Sequence, residues 1–275
     1  MTIERISAFS VDGEGGNPAG VVIGDTLPDA VEMAAIAAEV GYSETAFAVE
    51  ITDGWRVRYF SPESEVPFCG HATIALGAAL GAKRGAGTYH LELNDARISV
   101  EASPGPDGWR AALLSPLTSQ PPLAAALRAG VMEVFGVAES DLRDDWPMVR
   151  ASAGADMVVI PLRSRAHLAR LDYRLDAGKA LLDAHGIIGA YFVHQAEERR
   201  FDVRMAFPTG GVFEDPATGA AAAAFSGWLR DTGRIVGEIA ISQGEDMGAP
   251  SRLIAVSTPE IGAPIRVSGE TRRLD

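Results

Sequence analysis

Three polar residues stand at positions where acid–base chemistry is feasible: Glu44, His71 and Asp215. Glu44 falls between a predicted helix and a mostly apolar predicted strand, where a partly desolvated carboxylate can both accept a proton and return it. His71 and Asp215 each lie at the approach to a helix of almost entirely apolar residues. Each of the three also has a purely structural interpretation, as a solvated glutamate, a hydrogen-bonded histidine and a helix-capping acid.

The two helices that must position these groups are predicted at residues 72–80 and 218–229. Both lack a polar face, and a helix that is apolar all round is buried on every side. Their many Ala and Gly residues indicate that strands approach them closely, so we expect each to be a central helix wrapped by a curved sheet. A helix N-terminus offers unpaired N–H groups and the positive end of the dipole to an anion. If a pseudo-twofold axis relates the two helices, both N-termini face one cleft and can hold a carboxylate without an arginine.

Short strands and helices alternate along the rest of the sequence. Residues 55–60 have period 2, which places Trp55, Val57 and Tyr59 on one face of a strand. A helix over residues 28–40 is predicted to end at Gly41. Further strands are predicted at residues 3–9, 21–23, 45–51, 89–93, 98–102, 157–162, 190–194 and 202–207.

The sequence also repeats itself at a constant offset of 146 residues (203 − 57), at which Val57 and Arg58 match Val203 and Arg204. In the same frame Cys69 falls opposite Asp215, which predicts an internal duplication. Between the halves, residues 103–108 and 115–122 are rich in Pro, Gly and Ser and are interpreted as a linker. We therefore expect two similar α/β domains, residues 1–115 with 259–275 and residues 116–258.

Composition restricts the class of protein. The chain has 275 residues, 24 Lys and Arg against 37 Asp and Glu, and a net charge of −13, which argues against binding to nucleic acid or anionic membranes. The single cysteine, Cys69, excludes an intramolecular disulfide and a zinc site built from cysteines. No apolar stretch is long enough to span a bilayer and the N-terminus lacks a signal-peptide pattern, so we expect a soluble, cytoplasmic protein. Neither a metal site nor a nucleotide-binding motif is indicated.

Taken together, the motifs resemble those of the PhzF-like family, which is named for the phenazine-biosynthesis isomerase and shares the diaminopimelate epimerase fold. The resemblance runs along nearly the whole chain, through residues 16–22, 43–47, 60–73, 207–219 and 243–248. It implies two similar domains, each a barrel-like sheet around a central helix, with the active site in the cleft between them. It also implies a homodimer, a small anionic substrate and no cofactor. The best understood member of the family isomerises trans-2,3-dihydro-3-hydroxyanthranilate by moving a proton between ring carbons.

The resemblance further implies roles for individual residues. The catalytic residues would be Glu44 in Ser-Glu-Thr, His71 in Gly-His-Ala-Thr and Asp215 in Asp-Pro-Ala-Thr-Gly. The substrate-binding residues would come from the same motifs and from the N-terminal one: Asn17, Gly70, Ala72, Thr218, Gly219 and Ala220.

This sequence departs from the family pattern at two positions. Ala220 stands where the family usually has Ser, and Ala249 where it often has Arg. Epimerases of this fold use two cysteines; Cys69 occupies the first place and Asp215 the second, so a two-thiol racemase is excluded.

Three functions stay open on this basis. The first is a cofactor-independent isomerase that moves a proton between carbons of a small anionic substrate, such as a cyclic amino or hydroxy acid. The second is a racemase or epimerase that uses Glu44 and Asp215 as an acid–base pair. The third is a metabolite-binding protein that has lost catalysis, as the replacements at Ala220 and Ala249 would allow. Racemisation would bring solvent deuterium to Cα of a single added enantiomer, whereas a double-bond shift would change the ultraviolet spectrum.

Overall fold

The computed structural model describes residues 2–106 and 108–274, which fall into two compact units. The first unit spans Met1–Leu114 and Ser268–Asp275, and the second spans Ser115–Val267. Residues 259–267, grouped with the first domain on sequence grounds, belong to the second unit. Thr118 donates to the carbonyl oxygen of Gly262 (2.9 Å) and Ser115 to that of Ile265 (2.8 Å).

The described residues contain the following strands and α-helices in chain order. The strands are β1 (Ile3–Ser10), β2 (Asn17–Gly24), β3 (Thr45–Ile51), β4 (Gly54–Phe60), β5 (Glu65–Val66), β6 (Gly87–Glu92), β7 (Arg97–Gly105), β8 (Gly108–Leu114), β9 (Thr118–Ser119), β10 (Val149–Ala153), β11 (Asp156–Leu162), β12 (Gly189–Glu197), β13 (Arg200–Ala206), β14 (Glu214–Asp215), β15 (Glu238–Gln243), β16 (Ser251–Val256) and β17 (Arg266–Leu274). The helices are α1 (Ala30–Val40), α2 (Gly70–Arg84), α3 (Ala125–Val134), α4 (Arg165–Ala169), α5 (Leu175–Ala184) and α6 (Gly219–Asp231).

In the first unit the sheet closes around α2. The pairing runs β1–β2 antiparallel, β2–β3 parallel, β3–β4 antiparallel, β4–β6 parallel, and β6–β7 and β7–β8 antiparallel. Strand β17 pairs with β8 and, antiparallel, with β1, so no edge strand is left in this circuit. Helix α2 contacts β1, β2, β3, β6, β7 and β8, and every residue from His71 to Gly81 is buried. The prediction of a buried central helix is confirmed.

Glycines allow the close approach of α2 to the sheet. A Cβ atom added to Gly77 would lie 2.5 Å from Cγ2 of Val100, and one added to Gly81 would overlap the ring of Trp109. Both distances are far below van der Waals contact, so any side chain here would force the helix away from β7 and β8. The small residues of α2 are therefore required by packing.

The second unit repeats this pattern of strand pairing. It runs β9–β10–β11 antiparallel, β11–β12 parallel, β12–β13 antiparallel, β13–β15 parallel and β15–β16 antiparallel. Helix α6 contacts β9 and β16 at the two ends of this order and β10 and β11 within it, so the sheet curves around the helix. All residues from Ala221 to Arg230 are buried. Each unit is thus an α/β unit in which a curved β-sheet wraps around one apolar helix, as predicted.

Residues 103–106 and 108 do not form a linker, contrary to the sequence interpretation, and residue 107 lies outside the described residues. Gly105 pairs with Gly108 across the turn of the β7–β8 hairpin, and Pro104 pairs with Trp109. The Pro and Gly residues form the turn that joins β7 to β8, and the boundary between the units falls at Ser115.

Among the described helices, none combines the length and the apolar character that crossing a membrane requires.

An arginine–glutamate pair occurs in both units and shows which residues of the two units are equivalent. Arg58 donates to Glu65 through Nε (2.7 Å) and Nη2 (2.6 Å), and Arg204 donates to Glu214 in the same bidentate way (3.0 and 2.5 Å). The offset is therefore 146 residues at the arginines (204 − 58) but 149 at the glutamates (214 − 65). The additional residues lie between β13 and β14, where a 3₁₀ turn covers Pro208–Gly210.

This change of register corrects one sequence prediction. The N-cap residues of α2 and α6 are Cys69 and Thr218, so these two residues correspond. Asp215 instead corresponds to Val66, because Asp215 pairs with Met205 as Val66 pairs with Tyr59. The prediction that Cys69 lies opposite Asp215 is wrong, since a constant offset cannot account for the longer loop in the second half.

Candidate active site

Glu44 is placed by the end of α1 and the start of β3. Gly41 ends α1 in the left-handed conformation (φ 73°) and donates its N–H to the carbonyl oxygen of Ala37 at 3.0 Å. The carbonyl oxygen of Glu44 accepts the N–H of Gly20 at 3.1 Å, which extends the β2–β3 pairing by one residue. The side chain of Glu44 is 20% exposed, but its Oε2 atom is buried and has no hydrogen-bond partner within residues 2–106 and 108–274.

His71 lies in the first turn of α2 and contacts three polar side chains. Its Nε2 atom lies 3.3 Å from Oε2 of Glu44 and 3.3 Å from Oγ of Ser43. Its Nδ1 atom lies 3.4 Å from Sγ of Cys69. The imidazole is 9% exposed, so its orientation is fixed by these contacts and by the packing of the helix. A carboxylate and an imidazole at this separation form an ion pair when the imidazole is protonated.

The first turn of α2 is held by a chain of buried hydroxyl groups. The hydroxyl of Thr73 donates to the carbonyl oxygen of Cys69 at 2.7 Å, and the hydroxyl of Tyr59 lies 2.7 Å from that of Thr73. Burial raises the pKa of Tyr59 far above its usual value, so the phenol stays protonated and donates to Thr73. Strand β4 thereby positions Cys69 and His71.

The second unit presents Asp215 beside the start of α6. The hydroxyl of Thr218 donates to Oδ2 of Asp215, which orients the carboxylate. Gln243, at the end of β15 and fully buried, donates from Nε2 to the carbonyl oxygen of Asp215 (2.8 Å) and to Oγ1 of Thr218 (3.0 Å). Its Oε1 atom accepts the N–H of Thr218 at 3.3 Å. One glutamine therefore ties the Asp-Pro segment to the N-terminus of the helix.

The turn after β15 requires glycine. Gly244 has φ +79°, and a Cβ atom there would lie 2.8 Å from the carbonyl oxygen of Pro216 and overlap that of Ala249. Ala249 donates its N–H to the carbonyl oxygen of Gly244 at 2.9 Å. The position where the family often has Arg therefore lies in a tight turn packed on the Asp-Pro segment.

The N-termini of α2 and α6 differ from that of α1. At α1 the carboxylate of Asp29 accepts the N–H of Glu32 at 2.9 Å. Neither Cys69 nor Thr218 caps its helix with a side-chain hydrogen bond, and neither helix has an acidic residue in its first turn. The positive ends of α2 and α6 therefore carry no neutralising carboxylate of their own within the first turn.

The other residues that the resemblance implies are distributed over both units. Asn17 is buried at the start of β2, three positions before Gly20. In α2, Ala72 is buried, and Gly70 has open space where a Cβ would be. In the second unit, α6 begins with Gly219 and Ala220, and both residues are half-buried.

Sequence reasoning did not select two residues that contact the candidate groups. Ser43 contacts His71, and Gln243 contacts Asp215 and Thr218. Both residues lie in the sequence motifs on which the family resemblance is based. Their position in those motifs was the only indication in the sequence that they belong to the site. Their roles depend on side-chain direction, which neither periodicity nor composition reveals.

Comparison with known proteins identifies the family. A family model described as phenazine biosynthesis-like protein (PhzC-PhzF) matches residues 6–272. The uncharacterised isomerase YddE of Salmonella typhimurium is 33% identical over 245 residues, which cover 82% of this chain and 78% of that protein.

Two solved structures show the same fold. A PhzF-family phenazine biosynthesis protein of Bacillus anthracis matches with a TM-score of 0.88 and 21% identity, covering 100% of this chain and 98% of that one. A probable proline racemase of Agrobacterium radiobacter matches with a TM-score of 0.67 and 12% identity, covering 99% and 91%. Because the family model spans nearly all of the chain and curated relatives are named isomerases, this chain belongs to the phenazine biosynthesis-like (PhzC-PhzF) family.

Proposed function

We propose that this chain is a cofactor-independent isomerase in which Glu44 moves a proton between two carbon atoms of a small anionic substrate. The observation that carries the proposal is the state of the Glu44 carboxylate. Its Oε2 atom is shielded from solvent, accepts no hydrogen bond from the described residues and lies 3.3 Å from Nε2 of His71. Buried carboxylate oxygens are normally hydrogen-bonded, so an exception points to a functional role.

The proposed proton transfer uses one carboxylate in both directions. Glu44 accepts the proton from one carbon as the electron pair moves into the substrate, and then returns the same proton to a second carbon. A group that does both must be near the reacting atoms and shielded from water, which would otherwise exchange the proton. The half-buried setting of Glu44 suits this requirement.

His71 is proposed to support the charge changes at Glu44. Its Nε2 atom faces Glu44 and Ser43, while its Nδ1 atom faces Cys69. An N–H at Nε2 can donate to an oxygen of the substrate on which negative charge develops. Ser43 restricts the rotation of the ring.

A small anion is the proposed substrate class because the helix N-termini beside the candidate residues lack side-chain caps. At α2 the first-turn N–H groups belong to Gly70, His71 and Ala72, and at α6 the first two belong to Gly219 and Ala220. Such N–H groups bind carboxylates. For Asp215 we propose a hydrogen-bonding role toward the substrate, since Thr218 orients its carboxylate.

The experiment is a screen for deuterium incorporation from D₂O into cyclic and open-chain amino and hydroxy acids. An isomerase introduces deuterium at the carbon that gains the proton and changes the ultraviolet spectrum as the double bond moves. A racemase would instead place deuterium at Cα of a single added enantiomer with no spectral change, and that result would replace the proposal. Binding of screened acids without any exchange would indicate a protein that has lost catalysis.

A further inference from the structure

We propose that the second unit contains a binding site for a free α-amino acid with a small branched aliphatic side chain, such as valine. The site is a cavity of about 120 Å³ that is lined by the segment after α3, by the end of β11, by β12, and by α4 with the residues that follow it. Three of its lining side chains can carry a charge: Asp141, His167 and Arg170. The proposed function uses none of the three.

The cavity lies on the face of the sheet that points away from α6. Tyr191 of β12 packs on Phe225 of α6, with their ring centroids 6.2 Å apart, and therefore points toward the helix. Asp215 pairs with the same residue of β13 as Tyr191 does, so both residues lie on this inner face. Successive residues of a strand point to opposite faces, so Phe192, which lines the cavity, points outward. The cavity is thus separate from Asp215 and the start of α6.

The floor of the cavity is apolar. Phe135, Leu162 and Phe192 are buried, and the rings of Phe135 and Phe192 meet edge to face with their centroids 5.5 Å apart. An apolar cavity of about 150 Å³ is large enough to hold benzene. The cavity here is smaller, so it suits an isopropyl or isobutyl group better than an aromatic ring. Removal of such a group from water favours binding.

The carboxylate of Asp141 is held in place beside this floor. Its Oδ2 atom accepts the N–H of Ala138 at 2.9 Å, and its Oδ1 atom lies 3.3 Å from Nε2 of His167. Nδ1 of His167 is buried with no hydrogen-bond partner among the described residues, so we expect the ring to carry its proton on Nε2 and to donate to Asp141. A carboxylate can accept about four hydrogen bonds, so Asp141 retains lone pairs for an ammonium group.

The guanidinium of Arg170 supplies the opposite charge. Arg163 and Arg165 nearby in the chain pair with Asp144 (2.7 Å) and Asp246 (2.9 Å). The side chain of Arg170 is exposed and makes no ion pair or hydrogen bond within residues 2–106 and 108–274. Arg170 and Asp141 therefore line one cavity without neutralising each other. Arginine binds a free carboxylate through two parallel N–H bonds.

An α-amino acid matches these three features because one carbon atom carries its ammonium group, its carboxylate and its side chain. The ammonium group binds Asp141, the carboxylate binds Arg170, and the side chain enters the apolar floor. A simple carboxylic acid would face Asp141 with a charge of the same sign, and a simple amine would face Arg170 in the same way. The charges of the cavity therefore select a zwitterion over either single ion.

The test is calorimetric titration of the wild type with L-valine, with isovalerate, which lacks the ammonium group, and with isobutylamine, which lacks the carboxylate. Each analogue should bind at least about 10-fold more weakly than L-valine, because it loses a charge-assisted hydrogen bond. Arg170→Gln and Asp141→Asn, which keep polar side chains of similar shape or length, should each weaken L-valine binding by about 10-fold or more. Arg252→Gln, at an exposed arginine of β16, is the matched control and should leave the affinity unchanged.

Three results would overturn the proposal: no binding of L-valine to the wild type, equal affinity for L-valine in the wild type and Arg170→Gln, or equal affinity of the wild type for L-valine and isovalerate. A thermal unfolding scan of each variant shows whether the fold is retained, and the two single-charge analogues test the charge pattern on the wild type alone. None of these measurements requires turnover, so their failure leaves the proposed role of Glu44 unaffected.

Discussion

The imidazole of His71 lies 3.3 Å from the carboxylate of Glu44, although the two residues are 27 positions apart in the sequence (71 − 44). The contact exists because the segment before β3 and the first turn of α2 meet within one unit. We expect His71→Asn, which keeps a polar side chain but removes Nε2, to lower kcat by about 10² or more. Steady-state kinetics on the substrate found by isotope exchange measure this effect, with His90→Asn as the control. An unchanged kcat would remove His71 from the reaction.

Gln243 is expected to stabilise the start of α6. Gln243→Leu removes the bonds to Asp215 and Thr218 and leaves buried polar atoms unpaired, which costs about 1–3 kcal/mol of the free energy of unfolding. Gln120 is exposed and donates to Asp231 at 3.1 Å, so Gln120→Leu should change that free energy by no more than about 0.5 kcal/mol. Urea unfolding compares the two. Equal losses would contradict the assigned role of Gln243.

The two arginine–glutamate pairs allow a comparison of the same interaction at different burial. The side chain of Glu214 is 2% exposed and that of Glu65 is 27% exposed. Glu214→Gln removes the bidentate carboxylate from the buried charge of Arg204 and leaves the more distant Asp246 (3.9 Å from Nε) as its acidic neighbour, so we expect a loss of about 3 kcal/mol in the free energy of unfolding. Glu65→Gln should cost about 1 kcal/mol or less, since solvent screens Arg58. Denaturant unfolding at neutral pH measures the free energy of unfolding of both variants. A smaller loss for Glu214→Gln than for Glu65→Gln would contradict this prediction.

The Arg58–Glu65 pair also predicts a dependence of stability on pH. Hydrogen bonds from Arg58 hold the pKa of Glu65 below its usual value of 4.5. Because this pKa is lowered in the folded state, the contribution to stability is fully present above the unfolded pKa and is lost as the pH falls through the folded pKa.

The corresponding measurement compares the wild type with Glu65→Gln. The difference between their free energies of unfolding should shrink as the pH is lowered from about 6 to about 3. A difference that stays constant over this range would show that Glu65 gains nothing from Arg58.

Much of the fold could be predicted from the sequence because the relevant signals are local. The apolar stretches predicted α2 and α6 as central helices, and Gly41 predicted the end of α1. The alternation of residues 55–60 predicted β4. The motifs identified the family, which the comparisons confirm.

Other features depend on contacts between distant residues and could not be predicted. A Pro- and Gly-rich composition does not distinguish a linker from the β7–β8 hairpin, since both need the same turn residues. A constant offset hid the longer loop before β14, so Cys69 was matched with Asp215 in place of Thr218. The contacts of Ser43 and Gln243 require side-chain directions that only the folded chain defines.

The most direct measurement of the central claim is deuterium exchange from D₂O into the substrate, with the wild type compared with Glu44→Gln. The amide keeps the shape of the side chain but cannot accept the proton, so exchange and turnover should fall by about 10²–10⁴ or more while ligand binding largely survives. Glu50→Gln, at an exposed glutamate of strand β3, is the matched control and should exchange at the wild-type rate. Equal exchange by the wild type and Glu44→Gln would contradict the account and leave Asp215 as the next base to test.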